Sequence, residues 1–128
     1  MRLAPSAVSV AHTLAKQLVK FGDVVIDATA GNGHDTNLLA QLVGPQGYVY
    51  AFDIQQQAIL ATKANLSSDN LDSRVEIIRD GHENLDKYVK KKPIKLVMFN
   101  LGYLPKGDKK IVTRPTTTLE AIKKSLSL

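Results

Sequence analysis

Asp27 and Asp53 are the two side chains whose types and spacing say most about chemistry. Asp27 closes the apolar run "VVID" and opens "DATAGNGHDT", a small-residue turn holding Gly31 and Gly33. A dinucleotide-binding loop of the form G-x-G-x-x-G needs a third glycine where this chain has Thr36. A pyrophosphate in the turn would also face the Asp27 carboxylate at short range, which is repulsive, whereas a cation is attracted there. No Walker lysine follows, so a nucleoside triphosphate is not expected. Asp53 ends the next apolar run, 20 residues beyond Gly33, where an acid commonly grips the two hydroxyls of a ribose. The expected ligand therefore carries a ribose and positive charge but no phosphate. S-adenosyl-L-methionine (SAM) meets these conditions, with an ammonium, a sulfonium and an adenosine. The plain alternative makes both acids ordinary turn residues.

Two further stretches bear on the same chemistry. Asp80, Gly81 and His82 follow the third predicted strand, where an acid, a backbone N–H or an imidazole meets an adenine edge. Asp80 serves equally well as a cap for the short helix after it, and His34 as the first residue of a helix. In "FNLGYLPKGDKK", Asn100 ends the fourth strand, where a transferred methyl group is delivered. Amino-methylating enzymes commonly place N/D/S-P-P-Y/F here. This chain keeps the Asn100 and Tyr103 spacing but has Leu101 and Gly102 for the prolines. Methyl transfer from a sulfonium is an in-line displacement with a neutral leaving group, so alignment of a neutral amine is the main task. Asn100 is expected to orient that amine. The alternative is a plain strand exit with an Asn turn. His12, His34 and His82 have no ligand-like spacing, and no metal is expected.

The elements that must position these residues alternate. Apolar residues at Ala7, Val8, Ala11, Leu14, Ala15, Leu18 and Val19 predict a helix, with Ser6 as its cap and Gly22 as its end. "VVIDA" is a continuous apolar strand of the kind buried on both faces of a parallel sheet. A helix over 34–43, a strand "YVYAFDI", a helix "QQQAILATKANL" and a strand "RVEIIRD" follow. Then come a short amphipathic turn over 82–89, a strand "IKLVMFNLG", a polar loop and a helix over 116–127. This order predicts an α/β fold, a doubly wound sheet with ligands at the carboxyl edge.

A length of 128 residues suits a single domain. There is no cysteine, no signal peptide and no apolar run near the roughly 18 residues of a membrane span, so a cytoplasmic protein without membrane attachment is expected. Charge is uneven: residues 1–85 hold 6 Lys and Arg against 9 Asp and Glu, and residues 86–128 hold 11 against 3. Such a basic half favours a polyanion such as RNA, the alternative being a solvated lysine surface. With 3 Phe and 4 Tyr, no base-stacking platform is evident. Two other classes compete with an RNA N-methyltransferase. One is a non-catalytic RNA-binding or assembly module on the same fold. The other is a nucleotide-dependent oxidoreductase, which Thr36 and Asp27 disfavour.

"DATAGNGHDT", "AFDIQ", "GHE", "FNLGYLPKGDK" and "TTTLEAI" together resemble the "putative rRNA methylase" family of class I methyltransferases. The group is typified by the bacterial enzyme that methylates 5-aminomethyluridine in tRNA, and the similarity runs from about residue 4 to residue 126. The resemblance implies a Rossmann-like class I methyltransferase sheet of strand order 3-2-1-4 and a SAM pocket built from Asn32, His34, Asp53, Gln55, Gly81 and His82, with Asp27 nearby. Ala28, Gly31, Gly33 and Ile54 adjoin these and complete the expected contacts. It implies S-adenosyl-L-homocysteine (SAH) as product and the amine of a modified tRNA wobble uridine as acceptor, faced by Asn100 and Tyr103, with rRNA as the alternative. Lys106, Lys109, Lys110 and Arg114 are then placed to touch RNA phosphates, and a homodimer is compatible with the type. Family members usually continue into further strands. Residues 1–128 are therefore expected to form one SAM-binding domain, shortened at its C-terminus, with the fourth strand at the sheet edge.

Overall fold

The computed structural model describes residues 7–91 and 93–99. In chain order these form α1 (Ala7–Leu18), β1 (Val24–Asp27), α2 (His34–Val43), β2 (Tyr48–Asp53), α3 (Gln56–Ser68), β3 (Val75–Arg79) and β4 (Ile94–Met98). Short 3-10 turns cover Asp72–Arg74 and His82–Lys87. The strands pair in parallel in the order β3-β2-β1-β4, the Rossmann-like class I methyltransferase arrangement predicted from sequence. The predicted helix over 116–127 lies outside the described residues.

β1 is central, which is why its sequence is apolar up to the terminal Asp27: Val25 and Ile26 have no exposed surface, although they point to opposite faces. Val25 packs with Val49, Leu39, Val43 and Leu66, and Ala15 and Val19 of the N-terminal segment close this face. Ile26 packs on the other face with Tyr50, Phe52, Ile78, Leu85 and Val89, supplied by β2, β3 and the segment leading to β4. One expectation is modified. Leu14 and Leu18, part of the predicted apolar spacing of α1, remain 49% and 46% exposed. The helix buries the narrower stripe through Ala15 and Val19, and its apolar residues are too widely spread for one sheet face to cover.

Register sets the geometry of the carboxyl edge. Val24 is level with Tyr48 of β2 and Ile94 of β4, and Asp27 is level with Ala51 and Met98. β2 therefore continues past Asp27 to Asp53, which pairs with Arg79. At a strand rise of about 3.3 Å per residue, Asp53 stands roughly 7 Å further along the sheet than Asp27. It overlooks the turn that follows β1.

Candidate functional site

The turn from Ala28 to Gly33 is stitched to both neighbouring strands. The Ala28 N–H donates to the Met98 carbonyl at 2.9 Å, and the Ala30 N–H to the Phe52 carbonyl at 2.8 Å. The Gly31 N–H donates to Asp53 Oδ2 at 2.9 Å. Gly31 and Gly33 both take left-handed backbone angles, φ 60° and 93°. Gly33 has a second constraint, since a Cβ there would lie 2.8 Å from Thr62 Cα and 3.2 Å from Asn65 Cβ. α3 packs directly on this backbone, so the G-x-G signal reflects both conformation and close approach.

Asp27 lies beneath the turn with no exposed surface. Its Oδ2 accepts from the Thr36 hydroxyl at 2.6 Å and its Oδ1 from the Thr29 N–H at 3.1 Å. Burial pushes the carboxyl pKa up to about 7; the two hydrogen bonds oppose this, while the nearby Asp35 and Asp53 charges add to it. An acid at the tip of a central strand is thus enclosed by the very turn it supports. Asp35 is in turn paired with His12 of α1, Nε2 to Oδ1 at 2.5 Å, which ties α1 to the first turn of α2.

Asp53 is more open. Its Oδ1 accepts from the Gln55 N–H at 3.0 Å, so the carboxylate shapes the start of α3 as well as clamping Gly31. A carboxylate has about four acceptor positions, which leaves two for a ligand. Beside it Ile54 is 65% exposed, an apolar side chain at the crevice rim, and its carbonyl accepts from Arg79 Nε at 3.3 Å. Asn32 and Gln55 are also exposed at this edge. A diol and a flat apolar ring fit this surface.

Asp80 is absorbed by the turn after β3. It accepts from the Gly81 N–H, the Asn84 amide and the Tyr88 hydroxyl, and these bonds hold its pKa below the usual value, the Tyr88 hydroxyl contributing most. Gly81 and His82 are buried. The His82 ring reaches the tips of β1 and β4: Nδ1 lies 3.1 Å from the Ala28 carbonyl, and the ring meets Phe99 edge-on at 5.4 Å. A carbonyl only accepts, so Nδ1 carries the proton, and in the neutral ring Nε2 is an acceptor. That Nε2 is buried without a partner among the described residues. Buried polar atoms are rarely left so, and a donor from a bound molecule suits it.

The structure therefore gathers Asp27, Ala28, Gly31, Gly33, Asp53, Ile54, Gln55 and His82 around one end of β1 and β2. His34 is set elsewhere. It is exposed, 3.5 Å from the Asn65 amide, and lines an open groove of about 370 Å³ between α2 and α3 with Asn37, Gln41 and Asp69. Asn100, Tyr103, Lys106, Lys109, Lys110 and Arg114 lie outside the described residues. Thr36 is the functional residue that sequence reasoning passed over. Its only signal is that it replaces the third glycine in a loop that begins with an acid.

Comparison with known proteins agrees with this fold. The family model described as "Putative rRNA methylase" matches residues 49–128. The chloroplastic tRNA (mnm(5)s(2)U34)-methyltransferase of Arabidopsis thaliana is 41% identical over 127 residues, covering 91% of this chain and 46% of the plant protein. The chain thus spans under half the length of that relative. The crystal structure of a "putative rRNA-methylase" from Clostridium thermocellum superposes with a TM-score of 0.90 at 51% identity, covering 100% of this chain and 68% of the other. A "putative methyltransferase" from Streptococcus mutans, crystallised in complex with SAH, gives 0.83 at 41% identity, covering 99% and 67%. The chain belongs to the Putative rRNA methylase family.

Proposed function

We propose that this protein is a SAM-dependent RNA methyltransferase that N-methylates the aminomethyl group of a modified tRNA wobble uridine. The observation that carries the reading is the Asp53–Gly31 clamp beside the exposed Ile54. A carboxylate with spare acceptor positions next to an apolar side chain suits an adenosine, and Asp27, once ionised, adds negative charge beneath the turn. The SAH complex of the Streptococcus mutans relative and the tRNA modification named for the Arabidopsis thaliana relative support the cofactor and the acceptor.

SAM supplies an electrophilic methyl group and a neutral leaving group. The rest is positioning. Asp53 would hold the ribose hydroxyls and Ile54 would cover the adenine, with Gln55, Asn32 and the Gly81–His82 segment completing the pocket, while His34 faces the groove between α2 and α3. Asn100 accepts an N–H of the neutral amine and so directs its lone pair into the crevice, while Tyr103 packs on the acceptor base. Lys106, Lys109, Lys110 and Arg114 hold phosphates beside it.

Mass spectrometry of nucleosides from cells lacking the gene tests this. A tRNA wobble nucleoside short of one methyl group is the expected result. A deficit confined to rRNA would replace the substrate, and unchanged nucleosides in both pools would overturn the proposal.

A further inference from the structure

The strongest feature outside the crevice is a basic turn at the opposite end of the sheet. Lys90, Lys91 and Lys95 are exposed within six positions of sequence, just before and within the start of β4. The turn is anchored from within the core. The Lys90 and Lys91 N–H groups both donate to the Tyr50 hydroxyl, at 3.1 and 2.9 Å, and Tyr50 is 1% exposed. Lys91 Nζ lies 5.0 Å from the centroid of the Tyr48 ring. Tyr48 is the first residue of β2, level with Val24 and, through it, with Ile94. The nearby acids are Glu76, whose Oε1 accepts from the Tyr48 hydroxyl at 3.3 Å, Asp23, whose carbonyl accepts from the Tyr48 N–H at 3.0 Å, and the exposed Asp86. Along the chain the segment is strongly basic, residues 86–95 holding five Lys against one Asp.

A solvated lysine run needs no internal anchor. Here a buried phenol fixes two consecutive amides, so the ammonium groups project from a set backbone and less ordering is lost when they meet an anion. β4 has five residues, so its start and its carboxyl end stand roughly 13 Å apart. A free nucleoside in the crevice cannot reach the turn, but a folded RNA can.

We propose that this lysine turn is a second phosphate-binding surface, which makes the substrate a folded RNA that spans the sheet from its carboxyl edge to the start of β4. The inference rests on the RNA reading above and adds where, and how far from the chemistry, the RNA is held.

The test compares three forms of the full chain: the parent, Lys90→Ala/Lys91→Ala/Lys95→Ala, and Lys16→Ala/Lys20→Ala/Lys63→Ala, which removes the same charge from other exposed positions. Binding of a tRNA transcript and of a five-nucleotide RNA is followed across a salt series, and SAM binding by calorimetry. The turn variant should lose at least about tenfold in tRNA affinity at 0.1 M salt, and its slope of log affinity against log salt should fall by about 2 to 3. Its binding of the short RNA and of SAM should match the parent. Equal losses in the two triple variants, parent-like binding by the turn variant, or no tRNA binding by the parent would each overturn the inference. A loss on the short RNA equal to that on tRNA would overturn the spanning geometry. Failure of the parent to bind SAM while tRNA binding still depends on the turn would remove the methyltransferase reading alone.

Discussion

The Thr36 hydroxyl donates to the buried Asp27 carboxylate at 2.6 Å, from the position where a dinucleotide loop carries its third glycine. That glycine exists to let helix and strand approach. In this chain the same position instead supplies a donor for the strand-tip acid, so the departure from the dinucleotide pattern and the presence of Asp27 are one feature. Thr36→Val keeps the shape and removes the donor, leaving Asp27 Oδ2 unsatisfied. A loss of about 1–3 kcal/mol in unfolding free energy is expected by urea denaturation. A variant as stable as the parent would show that the bond contributes nothing.

Asp27 also sets a pH dependence. Burial raises its pKa to about 7 in the folded chain, from the 3.8 of a free aspartate side chain. Between these values the unfolded chain ionises while the folded chain keeps the proton, so this group's contribution to stability falls as pH rises and is level above about 7. Asp27→Asn does not titrate. The stability of this variant relative to the parent should therefore rise from pH 4 to pH 8, by up to roughly 4 kcal/mol. A difference that stays flat across that range would reject the raised pKa.

Gly33→Ala should be more costly than the usual glycine substitution. The new methyl group would meet the Thr62 backbone at 2.8 Å, and the residue would keep a φ of 93°. A destabilisation of about 2–4 kcal/mol is expected from the combined overpacking and left-handed strain. Gly31→Ala, where the nearest atom is 3.9 Å away, should cost less, about 1–2 kcal/mol. Comparing the two melting curves checks the order.

Asn100→Ala separates binding from chemistry. If Asn100 orients the amine, SAM affinity should be unchanged and kcat on tRNA should fall about 10²-fold, the scale of a lost alignment. Equal turnover would remove Asn100 from the site.

Much of this was legible in the sequence, for local reasons. The run "VVI" ahead of Asp27 marks a strand covered on both sides, and the alternation of such runs with helical spacing marks an α/β sheet, while the strand order came with the family resemblance. Asp53 and the G-x-G turn were legible because a fixed chain spacing brings them together. The His82 contact with Ala28 was not, because it joins residues 54 apart in sequence and depends on how the turn after β3 crosses the sheet. Nor was the exposure of Leu14 and Leu18, since periodicity shows that a face is apolar without showing how much of it the sheet can cover. The enclosure of Asp27 follows from β1 being central, a property of the whole sheet.

The most direct test of the crevice is calorimetric titration of the purified chain with SAM and SAH, alongside Asp53→Ala. Both ligands should bind the parent, and the variant, folded by circular dichroism, should bind them about 1–3 kcal/mol more weakly, the cost of losing the ribose partner. No heat of binding to folded parent, or parent-like affinity in Asp53→Ala, would contradict the assignment of this crevice to an adenosine-bearing cation.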